Sequence, residues 1–166
     1  MKTLLILGAG TFSTEVEELA RLNGFTDIAF LDDSSTPCSS PVIGMMDDIR
    51  ALRGQYDTAI VALGNNENRK KYHGLLTAAN YTIPILVHPT AYVSPDAVLS
   101  PGCIIRTHVV VSRYAKLGEG VIINVGGLID HHCEVGEFSH ILMGAVVRNS
   151  AKVAPMTWIP SNAVVE

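Results

Sequence analysis

The sequence is poor in charge and in aromatic side chains, and these shortages exclude classes of function. Charged residues make up 17% of the chain and aromatic residues 6%. The formal net charge is −4, so there is no excess of basic residues to attract a nucleic acid or an anionic membrane. No stretch approaches the roughly 18 apolar residues of a membrane span, and the opening apolar run is too short for a signal peptide.

Cysteine is scarce too. Cys38, Cys103 and Cys133 make an odd number without paired spacing, which favours a reduced, cytoplasmic compartment over a disulfide framework. Hydrophobic residues nevertheless account for 48% of the chain. This composition predicts a soluble protein that buries part of its surface against other copies of itself.

The first half of the sequence alternates strand and helix patterns. An amphipathic helix follows the first strand, with a Ser/Thr cap and Gly24 as its stop, and another helix runs from about Asn66 to Ala79. Strands separated by helices predict βαβ units and a parallel sheet. The strand segments are LLILGAG, IAFLDD, PVIG, TAIVALG and IPILV, a serine- and proline-containing loop follows the second, and a short helix passes through MDDIRALRG.

The second half repeats every six residues. From Val87 onward every sixth residue is aliphatic, and the residue four positions later is small or medium-sized. Neither the helical period of 3.6 nor the heptad period of 3.5 produces this pattern. A six-residue repeat builds a coil of short parallel strands, in which three flat faces close a triangular turn around the aliphatic side chains. The change of period predicts two domains, residues 1–85 and 86–166, with about four and a half coils in the second.

The segment GLIDHHCEVGEFSH, residues 127–140, concentrates three histidines and a cysteine. Metal binding, acid–base chemistry and packing are all compatible with its local spacing. Cys133 falls on an inward position of the repeat, which predicts core packing and disfavours a Cys/His metal site. His131 lies two residues after the inward Ile129, on an outward-facing part of the coil. An imidazole there is either a solvated side chain or a general base near neutral pH.

Several segments together resemble one family. The stretches FLDD, ALGNNENRKK, HPTAYVSPDAVL and GVIINVGGLIDHHCEVGEFSHILMGA are similar to the NeuD/PglD-like sugar acetyltransferases, within the hexapeptide-repeat acyltransferases. This resemblance implies an α/β Rossmann-like domain that binds a nucleotide sugar, followed by an all-β left-handed parallel β-helix. Family members usually continue for another coil or more, whereas this sequence stops in register at Glu166. Three interpretations stay open: a shortened cofactor groove, a truncated chain, or a partner that covers the end of the coil.

The resemblance also implies roles for individual residues. His131 matches the general base, His140 a cofactor-contacting histidine, and Asn124 the asparagine ahead of the catalytic turn. Related sequences commonly carry an acidic residue where this chain has His132, so we expect Asp130 to orient the base. We expect the backbone amide of Gly144 or Asn149 to stabilise the oxyanion. In the first domain the resemblance assigns nucleotide contacts to Asp32, Asp33, Gly64 and Asn65, and the pattern G-x-G-x-x-S adds Gly8 and Gly10 as a phosphate-binding turn.

The resulting hypothesis is an acetyl-CoA-dependent acetyltransferase that modifies the amine or hydroxyl of a UDP-linked amino sugar or related sugar. We expect a homotrimer with the active site between subunits and no metal. Two alternatives remain: a catalytically silent sugar-nucleotide-binding or scaffold module, and a γ-carbonic-anhydrase-type hydratase. The hydratase requires a widely spaced histidine trio, and His108, His131 and His140 do not match its H-x4-H spacing.

Overall fold

The computed structural model describes residues 2–34 and 40–166, and it separates into two compact units, Met1–Pro84 and Ile85–Glu166. Cys38 and most of the predicted serine- and proline-containing loop lie outside the described residues. Each unit has its own hydrophobic core.

The first unit is a parallel sheet with helices, as the alternating pattern predicts. Its strands lie in the order β3-β2-β1-β4, and the described pairs β1–β2, β1–β4 and β2–β3 are parallel. The carboxyl ends of β1, β2 and β4 therefore meet at one edge of the sheet. The elements are β1 (Thr3–Leu7), α1 (Thr11–Leu22), β2 (Asp27–Leu31), β3 (Val42–Gly44), a 3₁₀ helix (Met46–Ile49), β4 (Ala59–Val61) and α2 (Asn66–Ala78).

Two details of this unit differ from the sequence prediction. Helix α1 begins directly after Gly10, which has no side chain to cap it, so the predicted Ser/Thr cap is wrong. The predicted strand in IPILV is also wrong for its first three residues. Only Leu86–Val87 form a strand there, and this strand belongs to the second unit.

The second unit is a parallel β-helix of fourteen two-residue strands. Each strand pairs with the strands three before and three after it, so a residue faces its equivalent 18 positions away, as in Lys116↔Glu134. The strands are β5 (Leu86–Val87), β6 (Tyr92–Val93), β7 (Val98–Leu99), β8 (Ile104–Ile105), β9 (Val110–Val111), β10 (Lys116–Leu117), β11 (Ile122–Ile123), β12 (Leu128–Ile129), β13 (Glu134–Val135), β14 (His140–Ile141), β15 (Val146–Val147), β16 (Lys152–Val153), β17 (Trp158–Ile159) and β18 (Val164–Val165).

These strands form three flat faces. We call β5-β8-β11-β14-β17 the first face, β6-β9-β12-β15-β18 the second face, and β7-β10-β13-β16 the third face. The repeating aliphatic residues pack inside the coil and the small residues of the repeat join them in one core, which confirms the prediction. Ile123 and Ile129, for example, are fully buried.

The corners of the coil are four-residue turns, in which one backbone amide takes no part in the hydrogen-bond ladder between coils. We call residues 106–109, 124–127 and 142–145 the first–second corner, and residues 112–115, 130–133 and 148–151 the second–third corner. The third residue of these turns has a positive φ, as at His132 (60°) and Ser150 (62°). In the turns at 124–127, 130–133, 142–145 and 148–151, its N–H donates to the carbonyl of the second residue of the preceding coil, as Ser150 does to His131 O at 3.0 Å. The N–H of the second residue is left over from this ladder.

Candidate active site

His131 and His132 occupy the second and third positions of one turn in the second–third corner. Both side chains are exposed. The turn lies directly between two strands, since β12 ends at Ile129 and β13 begins at Glu134. The fold therefore places the predicted base at the surface, on a rigid corner of the coil.

Asp130 contacts the backbone of this turn and not the imidazole of the base. Its Oδ1 accepts a hydrogen bond from the N–H of His131 at 2.7 Å. This is the usual role of an Asp side chain at the first position of a turn. The orienting role predicted for Asp130 does not agree with this contact. Asp130 fixes the backbone from which His131 projects.

The ring of His131 contacts His132 instead. The two Nδ1 atoms lie 3.0 Å apart, and the rings meet edge to face with centroids 5.2 Å apart. His132 in turn packs against Tyr114, which occupies the same position one coil earlier, at 4.9 Å between ring centroids. In the sequence, His132 stood out only as a departure from the family. Its spacing of 18 from Tyr114 was the available signal.

A small pocket adjoins the two histidines. It has a volume of about 450 Å³ and lies on the outer side of the second–third corner. Arg113 closes one side, with its guanidinium over the Tyr114 ring at 5.1 Å and its Nε donating to Asp96 Oδ2 at 2.8 Å. The lining residues are Ser112, Arg113, Tyr114, Asp130, His131 and His132. A larger groove of about 720 Å³ lies on the third face, which does not carry the histidines.

The two candidate oxyanion donors differ in availability. The N–H of Gly144 donates to Val125 O at 2.9 Å, so in this structure it is engaged in the ladder between coils and not available to an oxyanion. Asn149 lies one coil after His131 in the same corner, and no acceptor for its N–H is found among the described residues. The reason is local. The preceding residue is Arg148, whose side chain has no acceptor atom and donates to Glu166 at 2.5 Å.

Cys133 is a core residue, as predicted. It is fully buried in the β-helix core, and burial raises the pKa of its thiol. Its Sγ donates to Arg148 O at 3.0 Å. A protonated thiol that points into the coil is neither a nucleophile nor a metal ligand. Within residues 2–34 and 40–166, no three His, Cys, Asp or Glu side chains come together as a metal site.

Two of the predicted cofactor residues, Asn124 and His140, lie beyond the edge of the second face that is opposite to His131. Asn124 is in the first–second corner, where its Oδ1 accepts from Arg106 Nη1 at 2.6 Å and from the Val125 amide at 2.8 Å. His140 begins β14 on the first face, and its buried ring packs against Trp158 at 4.7 Å. Within one chain, the second face separates both residues from His131.

The first unit brings its predicted ligand-binding residues to the carboxyl edge of the sheet. Gly8 follows β1 with φ of 102°, and a Cβ there would lie 2.7 Å from Leu63 Cδ2. Asp32 follows β2, and its Oδ2 accepts from the Ala9 N–H at 2.6 Å. Partial burial raises the pKa of the Asp32 carboxyl, but hydrogen bonds from the Ser34 side chain and from the Ala9 and Ser34 amides outweigh it, and the pKa is lowered overall.

The remaining residues at this edge have structural contacts of their own. Gly10 precedes α1, Asp33 Oδ1 accepts from the Met46 N–H at 2.9 Å, and the Asn65 side chain caps α2 by accepting from the Asn68 N–H. The Gly64 carbonyl accepts from Arg69 Nη1 at 3.1 Å.

Arg69 is a residue at this edge that the sequence did not single out. It is almost fully buried, its Nη1 also donates to Leu63 O at 2.9 Å, and burial lowers its pKa to about 10. Its position one turn into α2 gave no signal that distinguishes it from a surface arginine.

Comparison with known proteins places the whole chain in one family. Residues 3–75 match the model of the PglD N-terminal domain. The chain is also similar to the acetyltransferase domain of PglB from Neisseria gonorrhoeae, with 30% identity over 100% of this chain and 92% of that chain and a TM-score of 0.88. The chain belongs to the NeuD/PglD-like family of sugar acetyltransferases. This result confirms the resemblance found in the sequence and the prediction of an acyltransferase.

Two further structures of related proteins contain ligands. The gonococcal PglB domain in complex with acetyl coenzyme A is 29% identical over 98% of this chain and 95% of that chain, with a TM-score of 0.84. PerB from Caulobacter crescentus in complex with CoA and GDP-perosamine is 25% identical over 100% of this chain and 89% of that chain, with a TM-score of 0.86. Within the described part of this family member, no helix is long and apolar enough to cross a membrane.

Proposed function

We propose that this protein transfers the acetyl group of acetyl-CoA to the amine of a nucleotide-linked amino sugar, with His131 as the general base. The observation that carries the proposal is the second–third corner, where an exposed imidazole lies one coil from the exposed amide of Asn149. A base and an oxyanion donor side by side are what acyl transfer requires. The acetyl-CoA and GDP-perosamine complexes of the related proteins support the choice of both substrates.

The proposed reaction uses the chain's residues in two steps. As the amine nitrogen attacks the thioester carbonyl carbon, the new N–C bond forms, His131 Nε2 takes the amine proton, and the Asn149 N–H donates to the oxyanion. The C–S bond then breaks, and the CoA thiolate leaves and takes the proton from His131. The products are the N-acetylated sugar and CoA, and His131 returns to its neutral form. A base of this kind typically contributes a rate factor of about 10² to 10⁴.

The second face supports assembly into a homotrimer. Its outward side chains are all apolar, and Tyr92 and Val164 remain 57% and 59% exposed. The third face instead carries a ladder of Lys116, Glu134 and Lys152, with 3.2 Å between Glu134 Oε2 and Lys152 Nζ. An apolar stripe of this length is suited to burial against identical copies. The outward residues of the second face are Tyr92, Val110, Leu128, Val146 and Val164.

A cyclic trimer around the second face would also complete the active site. Each copy would bring its second–third corner, with His131, against the first–second corner of a neighbouring copy, with Asn124. His140 lies on the strand next to that corner. The predicted base and the predicted cofactor residues, separated within one chain, would then share one cleft. Sedimentation of Leu128→Lys tests this arrangement, because a charge in the stripe should release monomers, whereas Val98→Lys on the third face should leave the trimer intact.

For the first unit we propose a Rossmann-like domain, residues 1–85, that holds the nucleotide part of the sugar substrate. In open parallel sheets, ligands bind outside the carboxyl ends of the strands. Gly8, Gly10, Asp32 and the loop at Gly64 all lie at that edge. The glycines allow a phosphate to approach the start of α1, and Asp32 and Asp33 supply acceptors for base and ribose hydroxyls.

A CoA-release assay tests the proposed function. Purified protein is incubated with acetyl-CoA and a panel of UDP- and GDP-linked amino sugars plus free sialic acid, and the free thiol is measured. Sugar-dependent release that falls by a factor of about 10² to 10⁴ in His131→Ala is expected. His88→Ala is the matched control, because His88 contacts Thr90 in a different corner. If the protein binds a sugar but no acceptor in the panel causes release of CoA, the proposal is overturned in favour of a silent binding module.

A further inference from the structure

The contact between His131 and His132 restricts which ring nitrogen carries a proton. The two Nδ1 atoms are 3.0 Å apart, which is hydrogen-bond distance. A hydrogen bond between two imidazole nitrogens requires an N–H on one and a lone pair on the other. The pair therefore has two possible arrangements, with either His131 or His132 as the donor.

The proposed chemistry selects one of these arrangements. A general base that works through Nε2 needs a lone pair on Nε2. A neutral imidazole has a single N–H, so in that state the hydrogen of His131 is on Nδ1. His131 Nδ1 is then the donor and His132 Nδ1 the acceptor, and His132 carries its own hydrogen on Nε2.

The surrounding structure holds the acceptor in place. His132 has φ of 60°, and its N–H donates to Arg113 O at 3.1 Å. Its ring packs against Tyr114 at 4.9 Å, and Arg113, fixed by Asp96, covers Tyr114. The ring is thus supported from the preceding coil. Asp130, the acidic residue of this turn, accepts a hydrogen bond from the His131 backbone amide and does not contact the His131 ring.

We infer that His132 is the positioning residue of the base, and that it holds His131 in the tautomer with a free Nε2. This inference rests on the proposed role of His131. When His131 takes the substrate proton, its Nδ1–H becomes a charged donor, and the hydrogen bond to His132 strengthens. His132 thereby does for the imidazolium what a carboxylate does in a Ser-His-Asp triad.

The direct test is the tautomer of each histidine. In ¹⁵N-histidine-labelled protein at pH 8, above the ordinary imidazole pKa of about 6.5, two-bond ¹H–¹⁵N spectra distinguish Nδ1–H from Nε2–H. The expected result is Nδ1–H for His131 and Nε2–H for His132. The opposite assignment, or Nε2–H for both residues, overturns the inference. This readout does not depend on activity, so it stays informative if the acceptor sugar or the proposed function is wrong.

Two variants connect the tautomer to catalysis. His132→Phe keeps an aromatic ring against Tyr114 and removes the acceptor. The backbone tolerates such a residue, because Tyr114 has φ of 61° at the same position. His132→Asn keeps an acceptor oxygen close to the position of Nδ1 and tolerates a positive φ. A structural role for the ring predicts a loss in His132→Asn, whereas a positioning role predicts a loss in His132→Phe.

The expected result is a fall in kcat of about 10- to 100-fold in His132→Phe with KM within about threefold, and kcat within about fivefold of the parent in His132→Asn. In His132→Phe the spectra should also show His131 as a mixture of tautomers. Unchanged kcat in a folded His132→Phe overturns the inference. If His132→Phe does not fold, the His132→Asn kinetics and the parent spectra decide. If no variant, nor the parent, releases CoA, the proposed function fails and the spectra alone test the tautomer.

Discussion

The substitution Asn149→Pro isolates the backbone amide that we assign to the oxyanion. Proline lacks an N–H, so the change removes this donor from the site proposed beside His131, together with the Asn149 side chain. In the structure this amide has no acceptor among the described residues, so its removal breaks no described hydrogen bond. Any loss of activity would then come from a contact made only with the substrate.

The backbone geometry of the turn at residues 148–151 is compatible with proline at position 149. Asn149 is the second residue of a turn whose third residue, Ser150, has φ of 62° and whose ends are joined by Ala151 N–H to Arg148 O at 3.0 Å. Proline is common at the second position of such type II turns. The β-helix already contains this arrangement at Pro101, which precedes Gly102 with φ of 78°.

The two expected effects have opposite directions. Loss of one oxyanion donor lowers kcat by a factor of about 10² to 10³. Proline in a compatible turn raises the free energy of unfolding by about 0.4–1 kcal/mol, because it restricts the unfolded chain. A variant that is at least as stable as the parent and 100-fold slower cannot be explained by misfolding.

The assay combines thiol release with urea unfolding, and Asn149→Ala is the control. Alanine keeps the amide and removes the side chain, so Asn149→Ala should keep kcat within about threefold of the parent. Equal losses in both variants would assign the role to the Asn149 side chain. An unchanged kcat in a folded Asn149→Pro would refute the reasoning about the donor.

Three further predictions concern stability. Gly136→Ala should lower the free energy of unfolding by about 1–3 kcal/mol, because its Cβ would lie 2.4 Å from Pro155 N in the next coil. Urea unfolding measures this change, and an unchanged free energy would contradict the close approach of Gly136 to Pro155. Gly74→Ala should raise the free energy of unfolding by about 0.5–1 kcal/mol, because this exposed glycine lies within α2 with nothing within 4 Å of a Cβ. Asp32→Asn should be less stable than the parent at pH 7, and the gap should shrink as the pH falls through the lowered pKa of Asp32, where the parent carboxyl also becomes protonated; a gap that persists at low pH would contradict the assignment.

The fold of the second unit could be read from the sequence because its period leaves little choice. An aliphatic residue at every sixth position, from Val87 to Val165, is compatible with neither an α-helix nor an extended sheet. In the first unit the order of elements was equally clear, but the start of α1 was not. The Ser/Thr residues near Thr11 looked like a cap, whereas the structure begins the helix one residue after Gly10. Boundaries depend on backbone geometry, which composition does not specify.

The candidate site was predictable in its residues but not in its contacts. The sequence placed His131 and Asn149 in equivalent positions, 18 residues apart. It did not reveal that Asp130 would bind the backbone and leave the ring to His132, because both residues adjoin the base. The Gly144 amide was a plausible donor until the structure placed it in the ladder with Val125. Which of two neighbouring atoms makes a contact follows from turn geometry, and the sequence does not specify that geometry.

The first residue of a turn decides whether its side chain accepts a hydrogen bond from the amide that follows. At two turns this residue carries an acceptor, Asn124 or Asp130, and its side-chain oxygen binds the amide that follows. Arg148 occupies the same position one coil after Asp130 and has only donors, so the next amide, that of Asn149, stays available. The Asn149 N–H is thus a donor in the same corner as His131, because Arg148 does not supply the acceptor that Asp130 supplies one coil earlier. Arg148→Asp should close this site, because a carboxylate there would accept the Asn149 N–H as Asp130 accepts that of His131. The expected fall in kcat should match that of Asn149→Pro, and Arg148→Leu, which has no acceptor, should not show it.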